Sequence, residues 1–230
     1  MAIDIAPELL EKLKKTFNEK LNSNKKIDKL LSTIKNGKPT YSEVNELSIQ
    51  VGDILAEVFK ESLTGDILPD GRMYYNIAKR TIEPMMINNY DIVTDNAAIV
   101  QEILNKQAGM GIKAQIPPLN QSRIDGIINR LDEEELFENI KWILDEPIKN
   151  FTQAVVDDVI EKNTEFHTGL GLAPSVTRIV QGDCCNWCKE VAGTYYSPDI
   201  PSDVYRRHRF CRCTVEYDPG DGKKKNAWKK

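Results

Sequence analysis

The sequence predicts a mainly α protein: a helical body followed by a small α+β module organised by cysteine and histidine. Three observations predict it. Apolar residues recur at three- and four-residue steps through the first two-thirds of the chain, the spacing that lines one face of a helix. After Phe166 the texture turns glycine-rich and β-branched, and all five cysteines fall within residues 184–213. The body is assigned to residues 1–168, the module to 169–222 and a basic tail to 223–230.

Each element has its own signal. Pro7 stands near the start of a helix carrying Leu10, Leu13, Phe17 and Leu21, where a missing N–H costs little. A second stripe, Ile27, Leu30, Leu31 and Ile34, ends at Asn36-Gly37-Lys38-Pro39, a stop signal. Ser42 is placed to cap the best amphipathic helix, which carries Val44, Leu47, Val51, Ile54, Leu55, Val58 and Phe59. That helix breaks at Thr64-Gly65 and the turn Pro69-Asp70-Gly71. Residues 73–82 read as a helix that Pro84 interrupts, with Met85-Met86 in core or loop. Asp95 is placed to cap a separate helix with Ala98, Ile99, Ile103 and Leu104, and Gly109-Met110-Gly111 and Pro117-Pro118 mark a loop. Two stretches, 122–131 and 133–144, read as helices, the acidic run 132–135 being a helix start favoured by the macrodipole. Pro147 opens a last helix with Ile148, Phe151, Val155, Val156, Val159 and Ile160. Gly169, Gly171 and Pro174 then make a hinge before the run 176–180. The hinge lacks the lysine and third glycine of a phosphate-binding loop.

Composition narrows the class. No apolar run approaches the roughly 18 residues of a membrane span, and the start of the chain lacks a basic and apolar leader. The expectation is a protein made in a reducing cytoplasm. A net charge of −4 argues against a dedicated nucleic-acid binder. Residues 205–230, however, hold nine Lys or Arg against three acids, a local +6 that can reach a polyanion or simply be solvated.

The cysteines carry the sharpest signal. Cys185-Asn186-Trp187-Cys188 is a C-x-x-C pair, the spacing at which one turn presents two thiolates to one metal ion. His208-Arg209-Phe210-Cys211 repeats that spacing with a nitrogen and a sulfur, and Cys213 adds a third nearby thiol. Sulfur with imidazole favours zinc. The preferred set is Cys185, Cys188, His208 and Cys211, with Cys213 as substitute for His208 or Cys211 and Cys184 as an extra packed thiol. Disulfides between the two pairs, or buried free thiols, are the alternatives. A redox-active C-x-x-C lacks the strand-to-helix context it needs. A segment of about 50 residues buries too little to fold well alone, so zinc would staple it.

The segment from Gly182 to Gly193, with Cys185, Cys188 and Gly193 in place, resembles the C-x-x-C and Leu-x-Gly element of phage head morphogenesis proteins of the Mu F type. The segment from Val204 to Cys213 resembles their His-Pro-Asn-Cys-Arg-Cys element, with Arg209-Phe210 in place of Pro-Asn, and Tyr195, Tyr196 and Pro198 resemble the linker between. The likeness covers about residues 170–222. It implies that Cys185, Cys188, His208, Cys211 and Cys213 form the signature. It further implies a minor head protein inside the capsid, near the portal or major capsid protein, acting in head assembly or DNA packaging. The basic end would touch packaged DNA. Some relatives carry nuclease or toxin domains after the signature; about 17 residues follow Cys213 here, and no such domain is expected.

Two other classes compete. In a nuclease of compact RNase-like fold, His208 would act as base beside Arg206, Arg207, Arg209 and Arg212. A single histidine, already claimed as a ligand, makes this the weaker reading, and no catalytic residue is assigned. A zinc-dependent DNA-binding adaptor is the second rival. His167 reads as a solvated or capping residue.

Overall fold

The computed structural model describes residues 4–182 and 184–223. The chain runs α1 (Ala6–Ser23), α2 (Lys25–Asn36), α3 (Tyr41–Ser62), α4 (Tyr75–Gln107), α5 (Gln121–Glu133), α6 (Phe137–Ile140) and α7 (Glu146–Gly169). It then forms β1 (Ser175–Ile179), α8 (Asn186–Glu190), β2 (Gly193–Tyr196) and β3 (Thr214–Asp218). The protein is mainly α, with a small antiparallel sheet in the order β2-β1-β3 at its C-terminal end.

Helices α3 and α7 form the centre, and α4 packs on both of them as well as on α1 and α5. Their close approach has a local cause at Gly52 of α3. A Cβ there would meet Thr152 Cβ at 3.2 Å and Lys149 Cα at 3.3 Å on α7. Asn24 caps α2 by accepting the amides of Lys26 and Ile27. The α3 cap is Thr40 rather than Ser42: Thr40 and Glu43 form a reciprocal capping box, and the Ser42 amide donates to Thr40 Oγ1.

Three boundaries differ from the sequence reading. Pro84 does not end a helix, and Asp95 does not start one; both lie inside the single 33-residue α4. Packing on five neighbouring helices outweighs the one backbone hydrogen bond that Pro84 removes. Met85 and Met86 are core residues of that helix. The acidic run 132–135 closes α5 instead of opening a helix. Asp132 instead serves the next layer, its carboxylate accepting the Tyr75 amide at the start of α4. The predicted helix 133–144 is reduced to the one-turn α6 and a 3-10 turn, Lys141–Leu144. Pro147 does open α7, in its first turn.

The sheet lies against the body. Val176 and Arg178 of β1 and Val215 and Tyr217 of β3 are its buried positions, alternating as a half-covered strand requires. Val176, Val204, Tyr205, Val215 and Tyr217 join the same apolar cluster as the helices. Asn45, buried on α3, donates through Nδ2 to the carbonyls of Tyr41 and Val215, each at 2.8 Å, and so ties α3 to β3. His167, at the end of α7, is buried and hydrogen-bonded through Nδ1 to the Tyr217 hydroxyl, not solvated. Burial lowers its pKa. Among the described residues, no helix is long and apolar enough to cross a membrane.

Candidate metal centre

Two short turns face each other beside the sheet. In the first, Cys185 caps α8: its Sγ accepts the Cys188 amide at 3.5 Å, which fixes the C-x-x-C spacing as one helical turn. In the second, the Cys211 amide donates to the His208 carbonyl at 3.1 Å. Phe210 closes that turn at φ +63°, a left-handed conformation that a bulky side chain adopts only when the surroundings hold it. Sequence spacing alone makes both pairs; the fold brings them together.

His208 is oriented as a ligand. Its Nδ1 is 2.6 Å from the Arg209 carbonyl, which makes Nδ1 the protonated nitrogen and leaves the Nε2 lone pair free. Nε2 points at Cys185 Sγ, 3.1 Å away, and Cys188 Sγ, 3.0 Å away. The Trp187 ring stands edge-on to the imidazole at 5.6 Å between centroids. On the other side of Cys188 lie Cys211 and Cys213. The donor atoms form two triads, Cys185-Cys188-His208 and Cys188-Cys211-Cys213, each within 4.8 Å and sharing Cys188.

Each triad has the donor types of a metal site, while no four of the donors lie mutually within 4.8 Å, so a four-ligand site would need the two turns to draw together. Metal–sulfur bonds of about 2.3 Å put ligating sulfurs about 3.8 Å apart, the separation of Cys188 and Cys211 Sγ, 3.8 Å. Imidazole–sulfur edges of about 3.6 Å follow from the same bond lengths, so binding would open the two contacts at His208 by about half an ångström. All five cysteines are free thiols, and Cys184, half-buried against the cluster, belongs to neither triad. The Cys188 amide draws the Cys185 thiol pKa down. Burial, then the thiols of Cys213 and Cys211, push Cys188 up, and burial pushes Cys213 up. A cation would reverse the last two effects by stabilising thiolate, with release of protons.

The predicted arginine cluster is dispersed. Arg207 turns inward and pairs with Asp157 of α7 through Nε and Nη2, Nη2 lying 2.9 Å from Oδ1. Its Nη1 also donates to Gln153 and to the Cys213 carbonyl, each at 2.8 Å. Arg212 pairs with Glu146 at 2.9 Å, Arg206 with Asp203 at 2.9 Å, and Arg209 stacks on Trp142 and Phe210. Burial raises the pKa of Asp157 more than the Arg207 charge lowers it.

The sequence reading missed Arg178, Asp157 and Gln153. Arg178 is fully buried, with Nη2 3.4 Å from Cys211 Sγ, Nη1 2.5 Å from the Val204 carbonyl, and its guanidinium over the Trp187 ring. A signal existed: Arg178 alternates with Val176 in a β-branched run, the register of an inward position. No comparable signal marks Asp157 or Gln153, which meet Arg207 across more than 45 residues of chain. Of the basic tail, residues 224–230 lie outside the described residues. Compared with known proteins, the chain matches no family model, no curated protein and no solved structure.

Proposed function

We propose that this chain is a structural protein of a phage head, a minor component near the portal, whose C-terminal segment is stapled by one zinc ion. The observation that carries the zinc staple is the convergence of Cys185, Cys188, His208, Cys211 and Cys213 from two turns that the sequence separates. Mixed sulfur and imidazole donors suit zinc among intracellular metals, and a set closed by four protein ligands suits structure rather than catalysis. The head assignment rests on the likeness of the 182–193 and 204–213 segments to head morphogenesis proteins of the Mu F type. The partners it implies are the portal or major capsid protein, with packaged DNA for the basic end. A nuclease reading draws less support, because Arg207 and Arg212 are already paired with acids.

Two measurements test this in sequence. Elemental analysis of protein purified without added metal is expected to return about one zinc per chain, with most thiols protected from titration. Absence of metal with all five thiols reactive would remove the staple. Mass spectrometry of DNA-filled particles released from the source cells is expected to find the chain in the particle fraction at low copy. Its absence there would remove the virion role and leave the metal result untouched.

A further inference from the structure

We infer that Arg178 is the counter-charge of the metal centre, and that it selects Cys185, Cys188, His208 and Cys211 as ligands while Cys213 stays outside as a neutral thiol. The inference rests on the metal reading above and adds the ligand set and its charge.

Arg178 is a buried charge that its direct partners do not match; the Asp157 carboxylate acts on it only at longer range and is itself held by Arg207. A guanidinium cannot shed its proton inside a protein, so a buried one needs an anion or a full set of acceptors. Arg178 is 1 % exposed. The other deeply buried guanidinium, Arg207, meets Asp157 through two hydrogen bonds. Arg178 meets no carboxylate at ion-pair distance among the described residues; its polar partners are one carbonyl and one sulfur, and its Nε is buried without any. The face of Trp187 at 5.4 Å offers a cation–π contact but no charge.

The sulfur cluster can supply the missing charge only in certain compositions. A divalent cation with three thiolates and one neutral imidazole carries one net negative charge, which a single guanidinium neutralises. Four thiolates would leave one negative charge beyond what Arg178 neutralises, and two thiolates would leave the guanidinium unmatched. The His208 geometry already commits one position to Nε2. Cys185 and Cys188 share that position's neighbourhood, so one thiolate remains to be chosen between Cys211 and Cys213. Arg178 donates to Cys211 Sγ, and N–H···S bonds to a ligating sulfur are how an outer shell holds and tunes a thiolate. The Cys213 sulfur also receives an N–H, but from the neutral backbone amide of Gln181, while Arg207 holds its carbonyl; of the two, only Cys211 receives a cationic donor on its sulfur. Arg178 is thus a positioning residue, fixed by its place in the central strand β1 between Gly193 and Val215.

The test uses the full chain, stripped of metal, with Zn2+ affinity read by competition against a chromophoric chelator. Arg178→Met is expected to weaken Zn2+ binding by about 10- to 100-fold, and Arg178→Lys, which restores the charge, to recover part of that loss. Co2+ loading gives a reading that survives any misfolding of the Arg178 variants. Cys213→Ser is expected to keep the sulfur-to-cobalt charge-transfer intensity of the parent, and Cys211→Ser to lose about a third of it. Equal losses in Cys211→Ser and Cys213→Ser would overturn the ligand assignment. Affinity of Arg178→Met within twofold of the parent would overturn the counter-charge. A parent chain that takes up neither ion would sink the metal reading itself, a result distinct from each of these.

Discussion

At the scale of single residues, the site depends on charges placed where water is absent. Asp157 and Arg207 both have buried side chains, and burial outweighs pairing in setting the Asp157 pKa upward. Such a pair adds little net stability over an apolar replacement, yet removing one partner strands the other. Asp157→Ala is therefore expected to destabilise the fold by about 3–5 kcal/mol in urea unfolding, and Asp157→Leu with Arg207→Met to recover much of that loss. Glu216 on β3 behaves differently: burial and the nearby Glu43 raise its pKa from 4.5 to about 7. A carboxyl that binds its proton more tightly when folded favours the fold below its unfolded pKa and opposes it as pH rises through the folded value. The parent should thus lose stability relative to Glu216→Gln between about pH 5 and pH 8, read by thermal unfolding at matched salt. Parallel stability curves across that range would rule the effect out. The candidate donors that the fold brings together are legible in the sequence, because C-x-x-C and H-x-x-C spacings are local geometry. Arg207 was not, since its partners lie 50 and 54 residues away and a run of arginines reads as a phosphate surface until one turns inward.

At the scale of elements, helix identity was readable and helix ends were less so. The stripe from Val44 to Phe59 marks α3, but both Thr40 and Ser42 are hydroxyl residues before it, and only the reciprocal bond with Glu43 decides between them. Thr40→Ala is expected to cost about 1 kcal/mol and Ser42→Ala much less, by the same unfolding measurement. In α4 the proline signal was sound local chemistry that lost to packing on five other helices, which no residue within the helix announces. Gly52 is a comparable case in α3: it marks no turn, only the point where α7 passes closest. Gly52→Val should force the two helices apart and lower stability by about 1–3 kcal/mol. A neutral result would mean that Thr152 and Lys149 can move aside.

At the scale of the molecule, the sheet and the helices share one apolar core, with Val176, Val215 and Tyr217 inside it and Asn45 stitched to β3. Chelation is expected to lower the melting temperature and alter the near-ultraviolet signal around Trp187, while far-ultraviolet helicity below the transition stays close to that of the loaded protein. The strand order adds a consequence for how the chain assembles. The central strand β1 is made before either of its neighbours, and β3, its longer partner, arrives after two intervening turns of sequence that each carry half of the ligand set. An ion that joins Cys188 to Cys211 closes a 23-residue excursion and sets β3 down beside β1. By loop-closure entropy this spares the search about 3 kcal/mol. A bound ion would therefore act during folding as well as after it, as the event that turns a distant pairing into a neighbouring one.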